Sequence, residues 1–418
     1  MSDYDVGIVG AGIVGVSTAL WSQLRGHKTV LIDPNPPGSG ASFGNACTLA
    51  TYACMPVNDP SVFKNLPALL FSPNSPLSIS YAHALRNPKW MLSFLANCTE
   101  KRSSEIAQHL AQLLAHADAG LNPLIAEAGA EDLVVNSGQL SIWSTDKAAD
   151  EASASLTKRQ ALGVTLEDLS QAEARTLEPN LALPIKRAVF YPTARRIHDP
   201  QELIRRMHAR FTAVGGQTVA QKLIRSNAGP KSVVLDLENG GVEVGRLVVA
   251  AGALSNEIEG TDTKHLPLGT ERGYHLIYGT EGNRVSRPVG WAEGGFYASP
   301  MAQGLRIAGT VEITGKHRTA STNRTAYLRR RVGEMFHDLP APESEWMGLR
   351  PTMPDALPVI GQSAASERII HAFGHQHLGL TLGGITGRIV ADLIEGRQPN
   401  IDISPFRPSR SFISNRPA

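Results

Sequence analysis

Three glycines and one acid carry the first chemical expectation. Gly10, Gly12 and Gly15 stand in the spacing G-x-G-x-x-G, and Asp33 follows them. In such a motif one glycine lets the chain turn tightly, one leaves no side chain between backbone and pyrophosphate, and one lets a helix pack close to a strand. An acid about twenty residues further on can accept hydrogen bonds from ribose hydroxyls. To act together these residues need a strand leading into the turn, a helix leaving it and a second strand ending at the acid. Residues 5–9 read as a short buried strand, and Ile13 and Val14 open a helical stretch running through Ser17, Ala19, Leu20 and Leu24. Residues 29–32 read as the second strand, which stops at Asp33. The helix start would turn its amides and positive dipole end toward the phosphates. The glycines alone would also suit a structural turn, but the surrounding strands, helix and acid point to a dinucleotide site.

The chain has 418 residues, which predicts about two to three domains. With 42% hydrophobic and 19% charged residues, it has the composition of a soluble globular enzyme rather than of a disordered chain. The 40 basic and 38 acidic side chains leave no global field for nucleic acid, so no nucleic-acid partner is expected. Cys47, Cys54 and Cys98 cannot all pair within one chain and lack zinc-ligand spacing. A reducing compartment, the cytoplasm, and no metal are expected. The start Met1-Ser2-Asp3-Tyr4-Asp5 is acidic where a secretory signal would be basic. No stretch holds the roughly eighteen uninterrupted apolar residues of a spanning helix.

After Asp33 comes Pro34-Asn35-Pro36-Pro37-Gly38-Ser39-Gly40-Ala41-Ser42-Phe43-Gly44-Asn45-Ala46, a loop of small residues. Small side chains let backbone approach a flat ring or a phosphate; composition alone equally allows a surface loop. The glycine motif, the acid and the run from Gly40 to Ala46 resemble the FAD-dependent amine and amino-acid oxidoreductases of the D-amino-acid oxidase superfamily. The order G-A-S-F-G-N-A is most similar to bacterial D-amino-acid and D-hydroxyproline dehydrogenases. The resemblance resumes near the C-terminus and matches the middle of the chain loosely.

The resemblance implies an α/β fold, with a Rossmann-like FAD-binding domain of the glutathione-reductase type interleaved with an α+β substrate domain on a mostly antiparallel sheet. The expected FAD-binding parts are residues 1–60, 198–260 and 345–403, the substrate parts 61–197 and 261–344, and residues 404–418 a proline- and arginine-rich, partly unordered tail. FAD, held non-covalently, is the implied cofactor. Besides the glycine motif, the resemblance assigns to it Pro34, Ala41, Ser42, Asn45, Ala46, Val219, Ala251, Gly252, Gly379, Leu380 and Thr381. Ala251-Gly252 would also serve as a tight strand exit. Cys47 stands where these dehydrogenases commonly have glycine, not at a point of flavin attachment.

Other stretches supply scaffold. Residues 60–98 are apolar and broken by prolines, with Leu66, Leu69, Leu70, Phe71, Trp90 and Phe94. They suit a lid, a partner surface, a shallow membrane contact, or ordinary packing on the second domain. Asn136-Ser137-Gly138 between two short apolar runs predicts a hairpin, as does Asn239-Gly240. Asp199-Pro200-Gln201-Glu202 predicts a helix start with a capping box. Residues 316–338 read as a basic helical connector.

Oxidising an amino acid at Cα requires a carboxylate anchor and a neutral amine within hydride reach of the flavin. Arg350, in the Leu-Arg-Pro run that the resemblance covers, is the first candidate for the anchor; Arg272 is the second. A surface salt bridge is the plain alternative for Arg350. Tyr274 and Tyr297 suit the substrate carboxylate or a half-buried strand, and Tyr52 suits the substrate border. His375 suits a proton near the amine, and the pair with His377 also has a metal-like spacing without further ligands nearby. The expected activity is oxidative deamination of a D-amino acid, with D-proline or D-hydroxyproline as candidates and quinone or another carrier as electron acceptor. Peripheral contact with the inner face of the cell membrane is allowed. Two other readings stay open: a sarcosine- or glycine-type amine oxidase using oxygen, and a FAD-binding subunit of a multi-subunit amine dehydrogenase.

Overall fold

Two large sheets share the chain, and the N-terminal strand lies inside the first. The computed structural model describes residues 2–63, 77–316 and 319–412. Tyr4–Val9 pairs in parallel with Thr29–Ile32 on one side and Gly241–Val249 on the other, and Gln217–Val219 extends the sheet beyond Thr29–Ile32. Gly241–Val249 forks. Its first half pairs antiparallel with Val233–Leu237, and its second half pairs in parallel with Ile369–Phe373. The parallel strands are nearly continuous runs of Val, Ile and Leu because helices and loops cover both faces.

Helix Ile13–Leu24 packs on the C-terminal helix Gly379–Ile394, which packs in turn on Ala117–Glu127. The second contact is a close backbone approach. A Cβ on Gly384 would lie 2.5 Å from Leu121 Cα, and one on Gly120 would lie 2.2 Å from Ile385 Cα. The core beneath these helices holds Ile8, Leu20, Leu31, Val248 and Ile389, each fully buried. Each such side chain stabilises the fold by roughly 1.5–3 kcal/mol.

Among the described residues the second sheet has nine strands and is mostly antiparallel, with Leu77–Ile79 running in parallel beside the end of Gly304–Ile313. Ser344–Thr352, Gly269–Tyr278, Gly304–Ile313 and Phe296–Met301 run side by side, followed by Val289–Trp291, Gln139–Trp143, Arg187–Tyr191 and Glu167–Leu169. Helix Thr322–Met335 covers it, burying Tyr327, Leu328 and Val332. The fold is therefore the expected α/β arrangement of a Rossmann-like sheet interleaved with a second, mostly antiparallel one. Among the described residues no helix is long and apolar enough to cross a membrane.

Several local expectations change. Val134–Val135 and Gln139–Trp143 do not form a hairpin: the first pairs with Arg195–Ile197 and the second with Arg187–Tyr191. Gly138, at φ +67, turns a corner between sheets instead. Asp199 caps its helix through Gln201 N and Glu202 N, but the Glu202 carboxylate bonds Arg205 and Arg206 rather than closing a capping box. The described part of the tail, residues 404–412, packs on the fold: Arg410 pairs with buried Asp355 at 2.8 Å and Phe406 is buried. In the 60–98 stretch Trp90 stacks on buried Phe94 at 5.5 Å, which is ordinary packing, whereas Leu92 faces outward. Leu66, Leu69, Leu70 and Phe71 lie outside the described residues.

Candidate functional site

A cavity of about 1310 Å³ has walls from both sheets. It exceeds the roughly 300–1,000 Å³ of ordinary small-molecule pockets, so it can hold an extended ligand together with a small one. The glycine turn forms part of its wall. Gly10 has φ +108, and a Cβ on Gly15 would lie 1.7 Å from Gly10 O. Either side chain would force the turn open. Gly12 caps the helix without a side-chain bond, and the first turn itself carries no acid. Asp33 is fixed beside it, accepting from Ala11 N and Asn35 N at 2.8 Å each. A turn with no side chain in the way, a close-packed helix and an oriented carboxylate fit a dinucleotide.

The small-residue loop is shaped from below. Ser42 Oγ accepts from Ile13 N at 3.0 Å, which ties the loop to the helix start. Asn45 closes it by donating to Ser42 O and accepting from Cys47 N. Arg306, 1% exposed, donates to Phe43 O and Asn45 O at 2.8 and 3.0 Å. A Cβ on Gly44 would lie 1.7 Å from the Trp346 ring, which explains the glycine there. His275 stacks on the same indole at 5.0 Å, and burial, then Arg306, pushes its imidazole down to about 3. Neither Arg306 nor Trp346 was expected beneath this loop, because nothing local marks them as partners of a segment about 260–300 residues away.

The cavity gathers most of the expected cofactor residues: Gly10, Gly12, Ile13 and Val14 from the turn, Asp33 and Pro34 after the second strand, and Ala41, Ser42, Asn45 and Ala46 from the loop. Ala251, Gly252, Gly379 and Leu380 join them from the later segments. Gly15, Val219 and Thr381 are not on the wall. Val219 O accepts from Asp33 N at 3.2 Å, and Lys222 and Leu223 line the cavity in its place. Thr381 Oγ1 is buried and accepts from Ala50 N at 2.9 Å. Cys47 is buried at φ +61, a conformation that favours glycine, and burial pushes its thiol up to about 11.

Among the substrate candidates, Arg350, Tyr52, Tyr297 and His375 line the cavity; Arg272 and Tyr274 do not. The reason is strand parity. On Gly269–Tyr278 the residues Glu271 and Gly273 face the cavity, so Arg272 and Tyr274 face the opposite side. There Arg272 donates to Thr319 O and Gly315 O at 2.7 and 2.8 Å, and Tyr274 donates to Glu312 at 2.6 Å. Glu271 stands directly across from Arg350 in the ladder. Burial raises its carboxyl, and the guanidinium opposite holds it down. Gly273 leaves room for that guanidinium, since a Cβ there would lie 2.4 Å from Arg350 Nη2.

The imidazoles are neutral. His375 Nε2 shares a 2.9 Å hydrogen bond with Thr386 Oγ1 inside the C-terminal helix, and burial pushes it down to about 3. His377 exposes its ring, but onto the cavity rather than bulk water. Burial, then Arg350 and Arg159, push it down to about 4. Arg159 reaches the same wall and donates to Tyr52 O at 2.6 Å. Tyr52 stacks on Tyr191 at 4.2 Å, and burial together with the Tyr297 phenol raises its own phenol well above the usual value. The set can therefore supply cationic and neutral donors to a small anionic group.

Known proteins resemble the chain over most of its length. The family described as FAD dependent oxidoreductase matches residues 5–393. The chain is 34% identical over 414 residues to the D-amino-acid oxidase of Bradyrhizobium diazoefficiens, covering 97% of this chain and 98% of that protein. It is 27% identical over 438 residues to D-amino acid dehydrogenase 2 of Ralstonia nicotianae, with 96% and 99% covered. The solved structure of glycine oxidase from Geobacillus kaustophilus shares the fold, with a TM-score of 0.76 at 22% identity over 98% of this chain and 100% of that one.

Proposed function

The chain belongs to the FAD-dependent oxidoreductase family, and on that premise we propose that it oxidises a small D-amino acid at Cα. The imine of a primary amine then hydrolyses to a 2-oxo acid and ammonia, whereas D-proline and D-hydroxyproline, the candidate cyclic substrates, would leave as the cyclic imine. FAD would supply the hydride acceptor for oxidation of the substrate at Cα. The glycine turn, Asp33 and the loop from Ala41 to Ala46 would hold its dinucleotide portion; Gly379 and Leu380, at the start of the C-terminal helix, would flank its ring.

The observation that carries the reading is Arg350, a guanidinium on the wall of the same cavity as the glycine turn. A guanidinium grips a carboxylate with two parallel hydrogen bonds. Tyr52 and Tyr297, both lining the wall, can donate to the same carboxylate. The amine must arrive or become neutral before Cα is oxidised. Arg350 and Arg159 disfavour an ammonium in the cavity, just as they disfavour a charged His377. His375 is committed to Thr386 and takes no proton in this scheme. Cys47 is buried with a raised thiol, which supports non-covalent FAD.

The acceptor after substrate oxidation is a quinone or similar carrier, and peripheral contact with the membrane belongs to that reading. The 34% identical relative bears the name of an oxidase, which favours oxygen as a second reading. Anaerobic mixing of the holoenzyme with a panel of D- and L-amino acids and secondary amines tests both. Bleaching of the flavin by D-amino acids with slow recovery in air is expected. Peroxide formed at the turnover rate selects oxygen, and a flavin that no amino acid bleaches overturns the proposed reaction.

A further inference from the structure

Two side chains on the cavity wall combine backbone strain with an unspent hydrogen-bonding atom. Thr310 has φ +56 and Gln376 φ +49. A β-branched residue adopts such left-handed values only when its surroundings impose them. Thr310 is 2% exposed and Gln376 8%, yet Thr310 Oγ1 and Gln376 Nε2 have no hydrogen-bond partner among the described residues. Both residues line the cavity. Buried polar atoms in folded proteins are nearly always paired. Strain, burial and an unpaired atom at two positions on one wall point to a ligand that completes them.

The fold brings both positions to Arg350. The pairing of Gly269–Tyr278 with Gly304–Ile313 slips between Arg272↔Glu312 and Tyr274↔Gly309, so Thr310 and Val311 together oppose Gly273. A bulge of this kind re-aims a side chain. Thr310 is gripped on both sides of it: its amide donates to Gly295 O at 3.0 Å, and its carbonyl accepts from Arg350 Nη1 at 3.3 Å. Gln376 opens the turn Gln376–Leu378, which packs on the strand carrying Arg350, and the bridge His375↔Thr352 fixes that turn.

The chemistry of the three groups selects the ligand. Gln376 Nε2 and the guanidinium only donate, and a threonine hydroxyl can donate. We infer that Thr310 and Gln376 are specificity residues that, together with Arg350, seat the carboxylate of the substrate. This rests on the reading of Arg350 as the anchor, but it adds two neutral donors held ready before the ligand arrives.

Binding of propionate, a carboxylate without an amine, to the holoenzyme tests the seat without turnover, read by the perturbation of flavin absorbance. Thr310→Val and Gln376→Leu are each expected to weaken propionate at least about ten-fold, as losing a hydrogen bond to a charged group does. FAD affinity should stay within about two-fold. Thr310→Gly should raise Tm by relieving the left-handed strain and weaken propionate at the same time. Propionate affinity within about two-fold of the parent in Thr310→Val and Gln376→Leu overturns the inference, as does a parent enzyme that does not bind propionate. If the variants lose propionate as expected while no D-amino acid bleaches the flavin, the seat stands and the proposed reaction falls. If D-amino acids bleach the flavin and the variants bind propionate normally, the reverse holds.

Discussion

At the scale of single residues, burial and parity decide which side chains do chemistry. Arg350 and Arg272 are both arginines on neighbouring strands, but only Arg350 faces the cavity; Arg272 is spent on the carbonyls of Thr319 and Gly315. Replacing Arg350 by Ala is expected to raise KM for a D-amino acid by about two orders of magnitude or more, because a paired charge is lost. Replacing Arg272 should instead lower Tm and leave KM near that of the parent; steady-state kinetics and thermal melts on both variants separate the two. Gly44 permits a second test. A Cβ there meets the Trp346 ring, so Gly44→Ala should weaken FAD, and the double variant Gly44→Ala/Trp346→Ala should recover part of that affinity. Fluorescence titration of the apoprotein with FAD reads both.

At the scale of elements, the strand, glycine turn, helix and acid were legible from the sequence because each has a local signature: an apolar run, a fixed glycine spacing, a 3.6-residue period. The expected hairpin at Asn136-Ser137-Gly138 failed for a matching reason. A turn signal specifies a change of direction, not the strand that will be the partner, and here the two runs enter different sheets. Helix packing shows the same limit. Gly384 reads in sequence as a weak helix position, yet it marks the place where the C-terminal helix touches the backbone of Ala117–Glu127. Gly384→Ala gains up to roughly 1 kcal/mol of helix propensity. It also forces two backbones apart, which typically costs about 1–3 kcal/mol. Denaturant unfolding should show a net loss of stability.

At the scale of the whole molecule, buried neutral histidines set the response to acid. His275 and His375 are held near 3 in the folded protein, chiefly by burial, against about 6.5 when exposed. Between those values the unfolded chain holds more protons than the folded one, so stability falls as pH drops from about 6.5 toward 3. Melts across that window should show the decline. His275→Phe, which keeps the stack on Trp346, should make it shallower. The tail contributes as well: Arg410 and Asp355 form a buried pair, and removing one partner of such a pair typically costs about 3–5 kcal/mol. Arg410→Ala should therefore lower Tm markedly, whereas an unordered tail would tolerate it.

The sequence by itself determined the cofactor half of the protein. A dinucleotide turn is written in consecutive residues, and its glycines, its helix and its acid lie within one stretch of chain. The substrate side, and the support beneath the cofactor loop, were decided by tertiary structure. Which face of a strand Arg272 or Glu271 takes, where a bulge turns Thr310, and that Arg306 and Trp346 reach back under a loop near the N-terminus all depend on register and on contacts between distant segments. Shifting a strand by one residue reverses every side chain on it, and no local pattern fixes that shift.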